Sequence, residues 1–400
     1  MKVVEPVHQR RMKSKVNLCH IQVLPILSGV QRSMLEIFKH FNRDIWKPHV
    51  ICSEPGPLIK RLEEMEIDYF YAPHLRRPIR PDHDIRAAKE LYTIFKSQRF
   101  HLVHTESAKG RFIGNLTARA ANIPVIVQHV RGYSFHEFSP KWETTLFGLL
   151  ERIAAKVCDR TIFVNEGSQR TSVKKGWLPA NKTCTIYNGV DLNEFKLTRK
   201  EKMRAAFRKG WGLAPHEYCV TFIGRIWHQK NPMIFPHIVT SVRKRKPNLQ
   251  FKLLVAGDGA LETALRRQIR EFGVDSNFKL LGWVDDNLSV YFGSDVIILP
   301  SLWEGLPRTL IEAQASGLPI IASNIEGNQE VVTPETGFIC RPKEPEDYAN
   351  AIIKLAKPDL RGAMGGAGRR RAEHLFDSAV NSQKIIELYK HLLTQKGVRI

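Results

Sequence analysis

Hydrophobic residues along this chain form short uninterrupted runs, separated by longer stretches in which they recur every three to four positions. The runs predict strands buried on both faces, and the longer stretches predict amphipathic helices. In the first half we predict strands at 17–24, 49–53, 101–105, 124–130, 160–164 and 183–187. Helices are predicted at 30–42, 57–66, 84–98, 110–121 and 141–157. Alternating strands and helices predict a parallel sheet covered on both faces.

A second series of the same kind begins after a break. An Asn-Gly turn lies within 187–191, and the chain from there to about Gly210 is charged and lacks a strand pattern. Beyond it we predict strands at 218–224, 251–256, 278–283, 295–300 and 319–323. From 344 onward the pattern is helical. The predicted fold class is α/β, with two doubly wound Rossmann-like domains facing a cleft and a set of C-terminal helices.

These breaks divide the chain into four parts. Residues 1–188 form a first Rossmann-like domain, 189–210 a linker and 211–375 a second Rossmann-like domain. We expect 376–400 to be a helix that packs back on the first domain. Ligands of doubly wound sheets bind at the carboxyl ends of strands, often at helix N-termini. The cleft between the two domains is therefore the expected active site.

Composition and charge narrow the class of protein. Of 400 residues, 43% are hydrophobic and 25% charged, which excludes general disorder and a bundle of membrane helices. No run approaches the roughly 18 apolar residues of a spanning helix. Residues 1–15 contain no apolar segment that could serve as a secretory signal, so we expect a cytoplasmic protein. The net charge of +21 favours a polyanionic partner, such as nucleic acid, anionic lipid or a phosphorylated substrate.

The turn after the first strand of the second domain carries two cations. Gly224 ends the strand, and Arg225 and Lys230 follow before the next helix begins. Such a turn can cradle a diphosphate, because Arg grips phosphate oxygens with its fork and Lys adds a mobile positive charge. Two cations at this spacing are also common on the solvated surface of a chain this basic. The motif alone leaves both interpretations open.

Another turn combines two glutamates with backbone that a ligand can approach. Glu304 follows a buried strand, and Glu312 lies in the helix that comes next. Gly305 permits close approach of a ligand, Leu306 follows it, and Pro307 suits the first turn of a helix. A carboxylate placed there can hold the hydroxyls of a ribose, as in dinucleotide sites. Two glutamates at this spacing can equally be ordinary surface residues.

Two further candidates belong to the first domain. Ser28 and Gly29 form a small-residue turn between the first strand and the first helix, where backbone N–H groups can face a phosphate. An ordinary strand-to-helix turn has the same composition. His129 lies at the carboxyl end of a strand, where its side chain can face the cleft. A single histidine at such a position can equally be structural.

Two patterns that imitate metal or dinucleotide sites have simpler explanations. The only Asp-x-Asp pattern runs from Asp82 to Asp84, and because it follows Pro81 and precedes a helix, we interpret it as N-capping. Residues 257–259 lack the third glycine of a dinucleotide motif and predict a strand-end turn. The six cysteines show no metal or redox spacing. We therefore expect no metal site and no cofactor.

The order and spacing of these motifs closely resemble family 4 retaining glycosyltransferases of the GT-B fold. The resemblance covers roughly 17–392 and is strongest in 185–340. The matching positions include Ser28-Gly29, His129, 188–191, Arg225 to Lys230, Glu304 to Glu312, 330–332 and 336–338. One departure lies in the first turn, where the family usually has paired glycines followed by Glu-Arg and this chain has Ser28-Gly29-Val30-Gln31-Arg32.

The resemblance implies that 1–188 binds an acceptor and 211–375 a nucleotide-sugar. Arg225 and Lys230 would stabilise the departing diphosphate in place of a metal, and Glu312 would hold the ribose. The catalytic set implied is Arg225, Lys230, Glu304 and His129. The donor-binding set implied is Gly29, Gly224, Arg225, Lys230, Glu304, Gly305, Leu306, Pro307 and Glu312. His129 would approach the sugar from the first domain, and Gly29 the phosphates or the acceptor.

The activity implied is that of a metal-independent, anomer-retaining hexosyltransferase. It would move a sugar from a nucleotide diphosphate to a lipid-linked saccharide in lipopolysaccharide, O-antigen or capsule synthesis. Such acceptors give the positive charge an interpretation, because basic residues can hold the protein on an anionic leaflet at the inner face of the cytoplasmic membrane. Candidate contacts are the basic stretches 10–15 and 243–246, with Arg76, Arg77 and Arg80. Segment 141–157 is either an interfacial amphipathic helix or a core-packed one.

Two other functions are compatible with parts of the sequence. A nucleotide-sugar epimerase or hydrolase could share the fold, and it would act on the donor without an acceptor. A nucleic-acid-binding protein is suggested by the charge alone. Against the latter, the sequence has no RNA-recognition signature and no platform of clustered aromatic and basic residues. We therefore expect no nucleic-acid partner.

Overall fold

A computed structural model describes residues 15–133 and 140–400 of the chain. Seven parallel strands form the first sheet, in the order β3-β2-β1-β4-β5-β6-β7. These strands are β1 Val16–Gln22, β2 Trp46–Cys52, β3 Asp68–Tyr71, β4 Leu102–Thr105, β5 Val125–Val130, β6 Arg160–Phe163 and β7 Thr183–Thr185. Every residue of β4 and β5 is buried, as a strand covered by helices on both faces requires.

The helices that follow these strands cover both faces of the first sheet. They are α1 Gly29–Lys39, α2 Pro57–Glu64, α3 Pro81–Gln98, α4 Asn115–Ala120, α5 Lys141–Val157 and α6 Glu166–Lys174. A π-helical turn, Gly110–Gly114, leads into α4. Proline begins α2 and α3, where its missing N–H costs nothing. The side chain of Asn165 caps α6 by accepting from the Ser168 N–H at 2.6 Å.

The second sheet contains six parallel strands in the order β10-β9-β8-β11-β12-β13. They are β8 Tyr218–Ile223, β9 Phe251–Ala256, β10 Phe278–Gly282, β11 Val296–Leu299, β12 Ile320–Ser323 and β13 Gly337–Cys340. The accompanying helices are α7 Lys200–Gly210, α8 Phe235–Arg245, α9 Glu262–Glu271, α10 Asn287–Gly293, α11 Arg308–Ala315, α12 Glu326–Val331, α13 Pro345–Leu355, α14 Pro358–Leu375 and α15 Ser378–Gln395. The predicted fold class, two Rossmann-like domains of mixed α/β type, is confirmed.

Three local predictions differ from the structure. Residues 200–210 of the predicted linker form α7, and Phe207 packs into the second core. Strands β3 and β13, at the edges of the two sheets, were not among the predicted strands. The N-capping interpretation of Asp82 is wrong, because α3 begins at Pro81 with both aspartates inside its first turn. The Asp84 carboxylate instead accepts from the backbone N–H of Arg80 at 3.3 Å.

The last helix contributes to the core of the first sheet. Tyr389 and Leu393 on α15 are fully buried there, together with Leu18 on β1 and Phe38 on α1. Val190, just after the first sheet, forms an isolated bridge with Asp377 at the start of α15. The chain therefore passes between the two domains twice, near 189 and near 377. None of the described helices is long and apolar enough to span a bilayer.

Candidate functional site

The loops after β8 and β9 build the floor of the candidate donor site. Gly224 and Gly257 have φ values of +158° and +135°, which favour glycine. A Cβ on Gly257 would stand 2.0 Å from the Gly224 carbonyl oxygen, so the two loops touch backbone to backbone. The predicted turn at 257–259 is confirmed. Arg225, directly after Gly224, is exposed, and its guanidinium has no hydrogen bond or ion pair with any of the residues described.

Lys230 and Glu304 meet at the carboxyl edge of the second sheet. The Lys230 ammonium donates to Glu304 Oε1 at 2.5 Å, and the Ser301 hydroxyl donates to the same oxygen at 2.7 Å. Both charged side chains are mostly buried, at 17% and 9% exposure. The sequence placed these residues 74 positions apart, and the parallel sheet brings them together because β8 and β11 are neighbours. This pair presents one cation and one carboxylate to the cleft.

Glu312 is held at both of its oxygens. The Tyr291 hydroxyl donates to Oε2 at 2.8 Å, and Arg308 donates to Oε1 through Nε and Nη2 at 3.2 and 3.1 Å. Sequence reasoning missed both partners. Arg308 lies one helical turn before Glu312, an i,i+4 spacing that could have shown it. Tyr291 comes from α10, and no pattern in the sequence marks it.

Gly305 is one of the points at which the two domains touch. A Cβ there would stand 2.0 Å from the Arg131 carbonyl oxygen, and the Gly305 carbonyl accepts from Asn165 Nδ2 at 2.8 Å. Leu306 is buried in the second core, so it anchors the loop and leaves the ligand contacts to the backbone. Pro307 is the N-cap residue of α11, one position before the first helical turn in which the sequence predicts it. The loop is thus fixed at both ends and faces the first domain.

Gly29 begins α1 and faces the start of α11. A Cβ on Gly29 would stand 3.4 Å from the Cδ of Arg308. The α1 N-terminus is closed by a capping box, in which Ser28 and Gln31 satisfy each other's backbone groups. The structure therefore brings Gly29 next to the Arg308–Glu312 pair.

His129 differs from the other candidates because it is almost completely buried. Its side chain is 1% exposed, and neither ring nitrogen has a hydrogen-bond partner among the described residues. Burial, together with the nearby Arg131 guanidinium, lowers the pKa of His129 well below its ordinary value, so the ring is neutral. It lines a small cavity with Arg131, residues 187–189, and residues of α1 and α15. His129 therefore lies at the junction of the domains, just below the cleft surface.

A buried polar cluster lies beneath His129. Glu106 accepts from Arg131 at 2.9 Å and from Gln22 at 2.7 Å, while the rings of His20 and His104 approach it at 3.8 and 3.9 Å. Burial alone would raise the pKa of Glu106, but Arg131 and the histidines outweigh it, and the pKa lies well below the ordinary range. Glu106 is thus ionised and forms a buried ion pair with Arg131.

This cluster contains the residue types of a metal site without its geometry. Ligand atoms of His20, His104 and Glu106 lie within 4.8 Å of one another. The two imidazole rings, however, are stacked at 4.3 Å with an interplanar angle of 18°. Lone pairs of nearly parallel rings cannot converge on one ion, and the shared Glu106 oxygen already accepts from Arg131. We therefore describe the cluster as a hydrogen-bonded network.

Two Rossmann-like domains that face one cleft have the architecture of the GT-B fold. Residues 27–194 match the family model described as Glycosyltransferase Family 4, and residues 217–357 match the model described as Glycosyl transferases group 1. The chain belongs to glycosyltransferase family 4. The resemblance seen in its motifs is confirmed over most of its length.

Several relatives match nearly the whole length of the chain. A UDP-Gal:alpha-D-GlcNAc-diphosphoundecaprenol alpha-1,3-galactosyltransferase of Escherichia coli is 32% identical, over 96% of this chain and 99% of that protein. The capsular polysaccharide biosynthesis glycosyltransferase CapM of Staphylococcus aureus is 24% identical over 92% and 94%. Anabaena Alr3699/HepE, in complex with UDP and glucose, superposes with a TM-score of 0.78 at 20% identity, covering 93% of this chain and 99% of that one. These likenesses support a transferase and give no support to an epimerase, a hydrolase or a nucleic-acid-binding protein.

Proposed function

We propose that this glycosyltransferase moves a hexosyl group from a UDP-sugar to a saccharide carried by a polyprenyl diphosphate, with retention of anomeric configuration, during cell-envelope polysaccharide synthesis. The observation that carries the proposal is the pair of ion pairs, Lys230–Glu304 and Arg308–Glu312, at the cleft edge of the second sheet. The full-length likeness to the E. coli galactosyltransferase supports the choice of donor and acceptor class. The UDP bound by Alr3699/HepE supports the base.

In this proposal each part of the donor has its own partner. Arg225, exposed and unpaired among the described residues, and Lys230 bind the diphosphate. The carboxylate of Glu312 accepts from the ribose hydroxyls, and Glu304, with the backbone of 305–307, holds the sugar. We place His129 of the first domain beneath the sugar; because its side chain is 1% exposed in this structure, direct contact with the sugar would need a change in the arrangement of the domains.

The proposed reaction exchanges one C–O bond for another on the same face of the sugar. The bond between C1 and the diphosphate oxygen breaks, and the acceptor hydroxyl oxygen forms the new bond to C1. The hydroxyl proton passes to an oxygen of the departing diphosphate. Arg225 and Lys230 stabilise the charge that develops on the leaving group, which is where preorganised cations contribute most. We assign no nucleophile to the protein in this step.

Thermal unfolding with a panel of nucleotides tests the donor assignment. A ligand at 100 times its dissociation constant adds about 2.7 kcal/mol to the stability of the native state. We expect UDP and UDP-hexoses to raise Tm by a few degrees, and Lys230→Ala or Arg225→Ala to abolish the shift and lower turnover roughly 100-fold or more. Arg266→Gln, in an exposed ion pair on α9, is the control. Wild-type turnover in either site variant would contradict the diphosphate assignment, and turnover of donor without acceptor would favour an epimerase or hydrolase.

A lipid-linked acceptor lies at a membrane, so this assignment requires a membrane-binding surface on the protein. We propose that α5 forms this surface and contacts the inner face of the cytoplasmic membrane. Trp142, Leu146 and Leu149 form one stripe along this helix and are 65%, 42% and 53% exposed. The opposite face is fixed to the domain, where Glu151 pairs with buried Arg111 and Ala155 is buried. Since only the inner face is buried, the outer stripe is free to enter a lipid interface.

Only some of the candidate basic residues lie near this surface. Arg76, Arg77 and Arg80 are exposed in the loop after β3, at the same carboxyl edge of the sheet from which α5 starts. Residues 243–246 lie at the end of α8, which returns to the opposite edge of the second sheet, so they do not share this surface. Of the stretch 10–15, only Lys15 is among the described residues. We assign the lipid contact to α5 and the arginines after β3.

Flotation with liposomes tests this surface. We expect wild-type protein to float with anionic vesicles, less so at high salt, and Trp142→Ser with Leu149→Ser to reduce bound protein by more than about tenfold. Val380→Ser removes a side chain of similar exposure, 48%, from α15 and serves as the control. Equal, salt-insensitive recovery on neutral and anionic vesicles would contradict the membrane proposal.

A further inference from the structure

Arg308 is a side chain of the second domain that touches three separate parts of the molecule. It is the first residue of α11, and its Nη1 donates to the carbonyl oxygen of Gly189 at 3.1 Å. Its Nε and Nη2 both donate to Glu312 Oε1. Its Cδ lies 3.4 Å from the position that a Cβ on Gly29 would take. The guanidinium therefore joins the donor-site carboxylate to the chain that connects the domains, and the aliphatic stem of the same side chain lies beside the start of α1.

This bridge fixes the orientation of Glu312. Arg308 holds one carboxylate oxygen and the Tyr291 hydroxyl holds the other, at 2.8 Å. The side chains of Arg308 and Glu312 are only 16% and 15% exposed, so water competes weakly for these bonds. Among the described residues Oε2 accepts only from the Tyr291 hydroxyl, so it can still accept a further hydrogen bond. A carboxylate held in this way loses little conformational entropy when a diol binds.

We propose that Arg308 is a positioning residue that makes recognition of the donor ribose depend on the arrangement of the two domains. The inference rests on the proposed donor site, in which Glu312 binds the ribose. When the Gly189 carbonyl is in place, the guanidinium is held by both partners and Glu312 is presented to the cleft. When the linker moves away, Arg308 loses one partner and Glu312 loses its fixed orientation. By reciprocity, a bound ribose favours the domain arrangement that keeps Gly189 against Arg308.

The geometry requires arginine at this position. Two N–H groups of the planar fork meet Glu312 while a third, on Nη1, reaches the linker carbonyl. An ammonium is a point charge on a flexible stem and cannot hold both partners in fixed directions. Arg308→Lys therefore keeps the charge of the site and removes the bridge, which separates positioning from simple electrostatics.

Calorimetric titration with UDP and with 3′-deoxy-UDP measures the ribose contribution directly. Hydrogen bonds to a charged group are worth roughly tenfold to 100-fold in affinity, so wild-type protein is expected to prefer UDP by at least about tenfold. We expect Arg308→Gln and Arg308→Lys to weaken UDP binding roughly tenfold and to bring the ratio of the two affinities close to one. Glu312→Gln should do the same, and combining it with Arg308→Gln should add little. In turnover assays the Arg308 variants should raise the donor KM and leave kcat nearly unchanged.

Arg369→Gln is the matched control. Arg369 also pairs with a glutamate four residues later, donates to two backbone carbonyls and is 17% exposed, but it lies on α14. A merely structural role for Arg308 would lower Tm, as Arg369→Gln does, and leave the preference for UDP at its wild-type value; that result overturns the inference. A wild-type protein that binds UDP and 3′-deoxy-UDP equally would instead overturn the assignment of Glu312 to the ribose.

Discussion

At the scale of single residues, direct contact between backbones explains why position 305, where the domains meet, is a glycine. Gly305 packs directly against the Arg131 carbonyl, and Gly327 in turn packs against the Gly305 carbonyl, where a Cβ would stand only 2.3 Å away. Three layers of backbone therefore meet without intervening side chains. Main-chain contacts hold the donor-site loop in position, which explains why a residue without a Cβ is required at these two points.

Gly305→Ala is expected to lower kcat/KM roughly 100-fold. The new methyl group would overlap the Arg131 carbonyl oxygen, which is backbone and cannot turn away, so the domains must separate by about an ångström. Gly362→Ala on α14 is the control, since no atom lies within 4 Å of its Cβ position and alanine favours a helix by about 1 kcal/mol. Steady-state kinetics alongside thermal unfolding would check this, and wild-type turnover in Gly305→Ala would mean that these backbones are apart during catalysis.

At the scale of elements, the sequence predicts all the strands inside the two sheets but misses two of the four edge strands, β3 and β13. The six residues of β5 are buried and apolar enough to predict a strand, whereas β3 has exposed or half-buried residues throughout and only the short aromatic run Tyr69–Tyr71. The same reasoning applies to the site. Glu304 and Lys230 could be found because each follows a strand in a recognisable motif. Tyr291 reaches Glu312 only through tertiary packing, which a linear pattern does not contain.

The stacked histidines join three elements and predict a pH dependence of stability. His20 on β1 and His104 on β4 both contact the Tyr389 hydroxyl on α15, and Glu106, Arg131 and His129 face them. Burial, followed for His104 by its charged and histidine neighbours, lowers the pKa of both rings, so both are neutral in the folded protein. Histidines in the unfolded chain take up protons near pH 6.5, whereas these two stay neutral in the fold. Their contribution to the free energy of unfolding is therefore fully present above that pH and declines below it.

We expect the free energy of unfolding to fall between pH 7 and pH 5 by up to about 1.4 kcal/mol per pH unit for each histidine that stays neutral. Below about pH 4.3 the free energy of unfolding falls further, because Glu106 stays ionised in the fold while an unfolded glutamate is protonated. Urea titrations across this range would measure both slopes. His104→Gln should reduce the slope between pH 7 and pH 5 by roughly the contribution of one histidine. His216→Gln, at an exposed position, should leave that slope unchanged. An unaltered slope in His104→Gln would show that its ring titrates normally in the fold.

At the scale of the whole molecule, two glutamates of the second domain rest on a helix N-terminus of the first. Glu330 on α12 accepts from the Gly167 N–H at 2.9 Å and from the Tyr187 hydroxyl at 3.0 Å. Glu326 accepts from the Ser168 hydroxyl at 3.2 Å. The partial positive charge at the start of α6 favours both carboxylates. Together with the Asn165–Gly305 hydrogen bond at 2.8 Å, these two charges help to hold the cleft in its present arrangement.

Glu326→Gln with Glu330→Gln is therefore expected to let the domains separate. Carboxylates at a helix N-terminus contribute about 0.3–1 kcal/mol each, and up to about 2 kcal/mol when partly buried, so the double variant should shift the balance of closed and open molecules roughly tenfold. Small-angle scattering should show a larger radius of gyration for the variant, and salt should move the wild type toward the same value because it screens these charges. UDP should reverse part of the change, because a bound ribose favours the domain arrangement that keeps the Gly189 carbonyl against Arg308. Glu271→Gln, from an exposed pair on α9, should behave as the wild type. Identical scattering of the variant and the wild type at every salt concentration would show that Gly305 and its neighbours hold the domains together without these charges.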